Sequence, residues 1–180
     1  MLTLEGITRP GWSDPINPGE HVPCPMRNRV IVEKHSPDGS SSRVIRDGNI
    51  MSTYGLNNLA ELVASGTQAY SASNGWIRVM AVGTGTTAAA STDVTLANST
   101  ASVHISAASM VASDAGARTL QYNATFDDAN AYTINEVGLF GTNDATGSAV
   151  ARTVLAASDQ VVKGTGDTVN VSYQVIFTTA

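Results

Sequence analysis

The stretch Thr168-Val169-Asn170-Val171-Ser172-Tyr173-Gln174-Val175-Ile176-Phe177 gives the strongest indication of fold class in this 180-residue chain. Apolar and polar side chains alternate along it, so every second residue from Val169 onward shares one apolar face. Such alternation indicates a strand with one buried and one exposed face, as in an antiparallel sheet. The stretch from Arg118 to Phe126 alternates in the same way, and the apolar run Trp76–Val82 indicates a further strand.

Turn-forming residues separate these runs, and strands do not alternate with helices along the chain. The pattern predicts a mainly β protein, with an antiparallel β-sandwich or jelly-roll-like body and one short helix. The helix is predicted over 54–65, because Ser52-Thr53 can cap its start and Gly66 its end. Its apolar stripe is expected to pack in the core and consists of Leu56, Leu59, Leu62 and Val63.

A change of phase interrupts the alternation between Tyr132 and Phe140. Tyr132 and Ile134 share one phase, whereas Val137 and Leu139 take the other. A one-residue slip within a strand is what a β-bulge produces, so a bulge is expected here.

Glu136 is the charged residue at this slip, and its neighbours are apolar. It can occupy the bulge, or it can pair with an arginine such as Arg152. Both are structural roles, and we favour them over catalysis.

The first 46 residues differ in composition from the remainder. All six prolines lie within the first 37 residues, and the net charge is +1 over 1–46 but −6 over 47–180. Proline fixes φ and cannot donate to a ladder, so we predict an extended proline-rich arm over 1–46 and a β-sandwich body over 47–180. Within the arm, Arg29–Lys34 can form one strand and Ser36–Ser40 reads as a turn.

The arm is too apolar for a free linker, and we expect it to grip a partner rather than to form a loose tail. Large apolar side chains dominate interface energies, which makes Trp12 and Met26 candidate anchors. The predicted partner-binding residues are Trp12, Ile16, Met26, Arg27 and Arg29.

Motifs that carry catalytic or ligand-binding chemistry are weak in this sequence. The run Gly83–Ala88 matches a loose dinucleotide fingerprint, but a nucleotide site needs a helix next, and a glycine turn is favoured. Asp127, Asp128 and Asn130 offer oxygens for calcium, but their spacing is not that of an EF-hand, and turn formation is favoured. Cys24 lies between two prolines and is expected to be inert. We therefore predict a protein that is not an enzyme, with no catalytic, cofactor or metal site.

Composition also bears on location and partners. The chain has 14% charged residues, a net charge of −5 and an acidic body, which disfavours nucleic-acid binding. No apolar run approaches the roughly 20 residues of a membrane span, and Met1–Glu5 does not begin a secretory signal. We expect synthesis in a cytoplasm.

Five sequence elements occur in an order that resembles one class of protein. They are Met51–Ala60, Met80–Ala88, Thr92–Leu96, Ile134–Phe140 and Asp167–Phe177. Their succession resembles small virion structural proteins of tailed bacteriophages, and the N-terminal modules of some phage collar and tail-fibre proteins.

The resemblance implies a non-enzymatic virion component that is assembled in the host cytoplasm. The expected role is a capsid decoration or cement protein, or a neck-collar accessory, which docks on other virion proteins through residues 1–46. It also implies a homo-oligomer, with a trimer favoured. The alternatives are a tail-fibre or baseplate attachment module and, from a different class, a glycan-binding adhesin.

Overall fold

The computed structural model describes residues 26–48, 50–53, 55–57, 77–112, 117–141, 145, 147 and 149–178. These residues contain twelve strands, helical residues at 53 and 55–57, and a short helical turn at Ala157–Asp159. The strands are β1 (Met26–His35), β2 (Ser41–Asp47), β3 (Ile50–Met51), β4 (Val79–Gly83), β5 (Ser99–His104), β6 (Ala107–Ala112), β7 (Ala117–Phe126), β8 (Tyr132–Ile134), β9 (Glu136–Phe140), β10 (Ala149–Val154), β11 (Val161–Lys163) and β12 (Thr168–Thr178).

The strands form two five-stranded sheets and one small sheet. Sheet I has the order β2-β1-β12-β7-β6, sheet II has the order β3-β10-β9-β4-β5, and β11 pairs with β8. Every pairing is antiparallel. Buried residues of both sheets share one apolar core, so the predicted antiparallel sandwich is confirmed.

Strand β12 lies at the centre of sheet I, between β1 and β7. Its side chains Val169, Val171 and Tyr173 are at most 1% exposed, and they alternate with half-buried polar residues. On β7, Tyr122 and Phe126 point into the same core. The predicted alternation of buried and exposed side chains along β12 and β7 is therefore confirmed, because sheet II covers only one face of each strand.

The boundary predicted between arm and body falls inside sheet I. Strand β1 pairs with β12 along its whole length, and its Val30 and Val32 are fully buried. Strand β2 then returns beside β1 through a turn in which Ser36 N–H donates to Ser40 O at 2.9 Å. Residues 26–46 therefore belong to the body, because alternating valines on β1 find an apolar partner face. Residues 1–25 lie outside the described part of the chain.

The phase slip between Tyr132 and Phe140 is a change of sheet rather than a bulge within one strand. Strand β8 pairs with β11, whereas β9 pairs with β4 and β10 of sheet II. Asn135 joins the two strands, and its N–H donates to Gly83 O at 2.8 Å. The expectation of a bulge at this position is corrected, because the two phases belong to strands of different sheets, although Ile134, Val137 and Leu139 all reach the same core.

The predicted helix is present at its start. Gly55 N–H donates to Ser52 Oγ at 3.0 Å and Leu56 N–H donates to Ser52 O at 3.0 Å, which is the expected N-cap. Leu56 is 46% exposed, so its assignment to the core was wrong. Leu59, Leu62 and Val63 lie outside the described residues.

Candidate functional site

Glu136 opens β9, and its side chain is fully buried. Its carboxylate accepts three backbone hydrogen bonds from loop 84–98, which joins β4 to β5. Gly85 N–H (3.0 Å) and Asn98 N–H (2.8 Å) donate to Oε1, and Ala97 N–H donates to Oε2 at 3.0 Å. Arg152 Nε donates a fourth bond to Oε2 at 2.8 Å. This set of donors compensates for the cost of burying the charge.

Arg152, on β10, connects Glu136 to the outer part of the same loop. Its Nη1 donates to Asp93 Oδ2 at 2.8 Å, and its Nη2 donates to Thr87 O at 2.8 Å. Burial tends to lower the pKa of Arg152, but hydrogen bonds to Asp93 and Glu136 outweigh it and raise the pKa above its usual value. We call Glu136, Arg152 and Asp93 the loop clamp. The predicted structural pairing of Glu136 with Arg152 is confirmed.

The glycine motif that begins at Gly83 does not lead into a nucleotide site. The structure describes the whole of loop 84–98, which contains no helix and leads to β5, antiparallel to β4. A Cβ at Gly85 would collide with Glu136 Oε1 and would lie 2.7 Å from Ala97 Cβ. Glycine is thus required because a carboxylate fills the loop. The loop amides do bind an anion, and that anion is Glu136.

Lys163 forms a second buried ionic site, at the end of β11. Its side chain is fully buried, and its Nζ donates to Asp128 O at 2.5 Å and to Asn130 O at 3.0 Å. The Nζ also lies 5.3 Å from the centroid of the Tyr132 ring, within the range of a cation–π contact. We call Lys163 with loop 127–131 the lysine anchor.

The lysine anchor replaces the calcium site that was an alternative for Asp127, Asp128 and Asn130. The two carbonyl oxygens that this loop turns inward are bound to an ammonium group. Asn130 N–H donates to Asp128 Oδ1 at 2.9 Å, which is the turn-forming bond expected of this sequence. Among the described residues, no group of three or more His, Cys, Asp and Glu side chains is placed to hold a metal ion.

The pKa of Asp128 makes the lysine anchor sensitive to acid. Partial burial tends to raise this pKa, but bonds from Tyr132 Oη and Asn130 N–H, with the nearby charge of Lys163, hold it below the usual value. A lowered pKa contributes stability above the unfolded value, about 3.9 for aspartate, and that contribution is lost as pH falls through the folded value.

We therefore expect the urea midpoint of unfolding to stay level from pH 7 to about 5 and to fall below pH 4. Asp128→Asn should lower the midpoint at pH 7 and flatten its fall in acid. The matched control is Asp127→Asn, at the exposed neighbouring position. Urea titrations at several pH values make the measurement, and an equal acid response of wild type and Asp128→Asn would contradict it.

A third arrangement lies on the outer face of sheet I, where β1 and β2 run side by side. Arg29 Nε contacts Asp47 Oδ1 at 2.7 Å, and Arg43 Nε contacts Glu33 Oε1 at 3.0 Å. Ile45, on β2, is 49% exposed and pairs in register with Ile31, between the two ion pairs. The hydrogen bond from Arg29 lowers the pKa of Asp47, against a small opposing effect of burial.

Amide and hydroxyl side chains continue this outer face across β12 and β7. Gln174 Nε2 donates to Gln121 Oε1 at 2.8 Å, and Ser172 Oγ donates to Asn123 Oδ1 at 2.7 Å. These cross-strand bonds fix the side chains in rows. The outer face is therefore charged over β1 and β2 and uncharged but polar further along the sheet.

The structure describes three of the five predicted partner-binding residues. Trp12 and Ile16 lie outside the described residues. Met26 is the first residue of β1, Arg27 is exposed, and Arg29 is half-buried in its ion pair with Asp47. The structure thus places Arg27 and Arg29 at the end of β1 where residues 1–25 join it, and their role in partner binding stays a prediction.

A cavity of about 370 Å³ opens beside the loop clamp. Arg46, at the end of β2, lines it together with Arg152 and Thr86. Nε, Nη1 and Nη2 of Arg152 are already bonded within the fold, so this wall of the cavity is part of the loop clamp. None of the helical segments in the described part of the chain is long and apolar enough to cross a membrane.

Fold and site together define an antiparallel β-sandwich whose loops are fixed by buried ionic groups. Comparisons with protein-family models, with curated proteins and with solved structures found no match to this chain.

Proposed function

We propose that this protein is a structural component of a tailed-phage virion. In this role it is a capsid decoration or cement protein, or a neck-collar accessory. It attaches to other virion proteins through residues 1–25 and the adjoining end of β1. The order of the five sequence elements supports the virion class, and the position of β1 supports the mode of attachment.

The position of β1 is the observation that carries the proposed mode of attachment. This strand lies between β12 and β2, and it pairs with both of them. Residues 1–25 join it at Met26, opposite Phe177 of β12. A partner that holds these residues therefore holds a strand that cannot leave the body without breaking two hydrogen-bonded ladders. Such a connection suits a protein that must transmit load from its docking segment to its body.

The two buried ionic sites support a structural role for the charged groups of the body. The loop clamp fixes loop 84–98, and the lysine anchor fixes loop 127–131. In both, the acceptors and donors are satisfied by groups of the same chain. A body with internally braced loops gives a stiff unit for repeated packing on a particle.

Immunogold electron microscopy of the phage that encodes this chain tests the proposal. We expect gold on intact, purified particles. Even coverage of the head would assign decoration or cement, and gold at one vertex would assign the neck or collar. Gold at the tail tip would move the protein to a fibre or baseplate. Particles that carry no gold, while the infected-cell lysate contains the protein, would contradict a virion role. Particles stripped of the protein provide the background control.

A further inference from the structure

Strand β2 is an edge strand of sheet I, and its outer edge faces no other strand in the described residues. Six of its seven residues are exposed. The residues that it presents on the outer face of the sheet are Ser41, Arg43, Ile45 and Asp47. An exposed edge of this length is a template for another strand unless something covers it.

The hydrogen bonds between β1 and β2 show which backbone groups point to the free edge. Gly48 N–H donates to Asn28 O at 3.2 Å, and Ser36 N–H donates to Ser40 O at 2.9 Å. Both bonds belong to the same register, so even-numbered residues of β2 turn their N–H and C=O groups toward β1. The N–H and C=O groups of Arg43, Ile45 and Asp47 therefore point away from β1, toward the free edge.

The sequence of β2 is complementary to itself in the antiparallel direction. We propose that two copies of this chain associate through β2, about a two-fold axis that passes beside Ile45. In this register Ile45 lies opposite Ile45 of the second copy, and Arg43 lies opposite Asp47 of the second copy. The outward-pointing backbone groups of these residues then form hydrogen-bonded pairs, and the two sheets become one continuous ten-stranded sheet.

Side chains on the outer face make this register specific. A row of four charged side chains crosses the contact on each side of the axis. Each row runs from Glu33 and Arg43 of one copy to Asp47 and Arg29 of the other, and the charges along it alternate in sign. Between the two charged rows, Ile31 and Ile45 of both copies form one apolar row. A two-fold axis centred on Arg43 or on Asp47 would instead place like charges opposite each other, which is unfavourable. The contact is isologous, so it closes at two copies.

This inference stands on the geometry of β2 and does not depend on the virion role. It differs from the trimer that the resemblance favours, because a two-fold contact through one edge strand joins two copies. A trimer can coexist with it only through another surface.

A charge-swap pair of variants provides the first test. Arg43→Asp places two acidic groups opposite each other at the contact, and Asp47→Arg places two arginines there. Each variant alone should elute as a monomer of 18.6 kDa in light scattering after gel filtration. An equimolar mixture should recover the doubled mass of the wild-type protein. In the mixed dimer, the introduced acid at position 43 of one chain lies opposite the introduced arginine at position 47 of the other. The native Asp47 of the first chain likewise lies opposite the native Arg43 of the second. Far-ultraviolet circular dichroism checks that both variants fold.

Disulfide trapping provides the second test, in a Cys24→Ser background of the full chain. Cα atoms of a directly opposite hydrogen-bonded pair lie about 5.5 Å apart, within the range of a disulfide. Ile45→Cys should therefore give cross-linked dimer under mild oxidation with diamide. Ser41→Cys is the matched control on the same strand and face, and the two copies of that residue would lie roughly 26 Å apart.

Each possible result of these two tests either supports or contradicts the β2 contact. A doubled mass for wild type, monomeric single variants, a rescued mixture and cross-linking at 45 but not at 41 would support the contact. A monomeric wild-type protein at concentrations of about 100 μM would overturn it. Single variants that associate like wild type, or a mixture that stays monomeric, would also overturn it. Equal cross-linking at 41 and 45 would indicate random collision and would count against the contact.

Discussion

Glu136→Ala should be the most destabilising single substitution in the loop clamp. The change removes a fully buried carboxylate and leaves Arg152 Nε and the N–H groups of Gly85, Ala97 and Asn98 without their acceptor. Breaking a buried ion pair by removing one partner costs about 3–5 kcal/mol. That is a large part of the total stability of a domain, which is about 5–15 kcal/mol. Urea unfolding followed by far-ultraviolet circular dichroism measures the change.

Two controls separate the effect of burial from the effect of charge. Glu33→Ala removes a glutamate from the exposed ion pair with Arg43, and should cost less than about 1 kcal/mol. Glu136→Gln retains most of the side-chain volume but donates where the carboxylate accepts, so it should fall between wild type and alanine. Hydrogen exchange should show faster exchange at Gly85, Ala97 and Asn98 in both variants. A similar, small cost for Glu136→Ala and Glu33→Ala would contradict the stated role of the loop clamp.

Lys163→Met should be the second largest loss, at about 2–4 kcal/mol. Methionine fills the same apolar volume but leaves the carbonyl oxygens of Asp128 and Asn130 without their donor, and it removes the charge beside Tyr132. Each hydrogen bond to a charged group contributes about 1.5–3 kcal/mol, and a cation–π contact adds about 0.5–2 kcal/mol. Water that enters at the partly exposed loop reduces the total. Equilibrium unfolding in urea gives the value.

The matched control is Lys34→Met. Lys34 contacts Asp167 at 3.6 Å, and its side chain keeps 25% of its surface exposed. Water screens such a pair, so we expect a loss below about 1 kcal/mol. Lys163→Arg tests geometry, because the larger guanidinium group does not fit a fully enclosed site without displacing the loop. If Lys163→Met were as mild as Lys34→Met, loop 127–131 would not depend on the buried ammonium group.

The strands with one covered face were readable from the sequence. In β12 and β7 the period-two alternation follows from local geometry, because successive side chains point to opposite faces. The turn at Ser36–Ser40 was equally local, since Asp38 Oδ1 accepts from Ser40 N–H at 2.8 Å and Gly39 takes a φ of +85°. The pairing of Glu136 with Arg152 was reached because a buried carboxylate needs a cation.

Strand β2 was not predicted, because an edge strand that is exposed on both faces does not show an alternation of apolar and polar residues. Its residues are exposed on both faces except for the half-buried Val44. Its charges and its closeness to the prolines instead suggested an extended arm. The sheet change at Asn135 was also missed, because a one-residue slip looks the same in a sequence whether the strand bulges or moves to another sheet.

The fold class and the main strands followed from the sequence alone, and an arginine partner for Glu136 was one of the two roles that the sequence left open. These properties depend on periodicity and on the energetics of a single side chain. The groups that meet are known only from the folded chain: Glu136 contacts Gly85, 51 residues away, and Lys163 contacts Asp128, 35 residues away. The same is true of the position of β2 at the edge of sheet I. The physical reason is that local backbone geometry fixes how a strand forms, whereas strand order fixes which distant groups share a buried space.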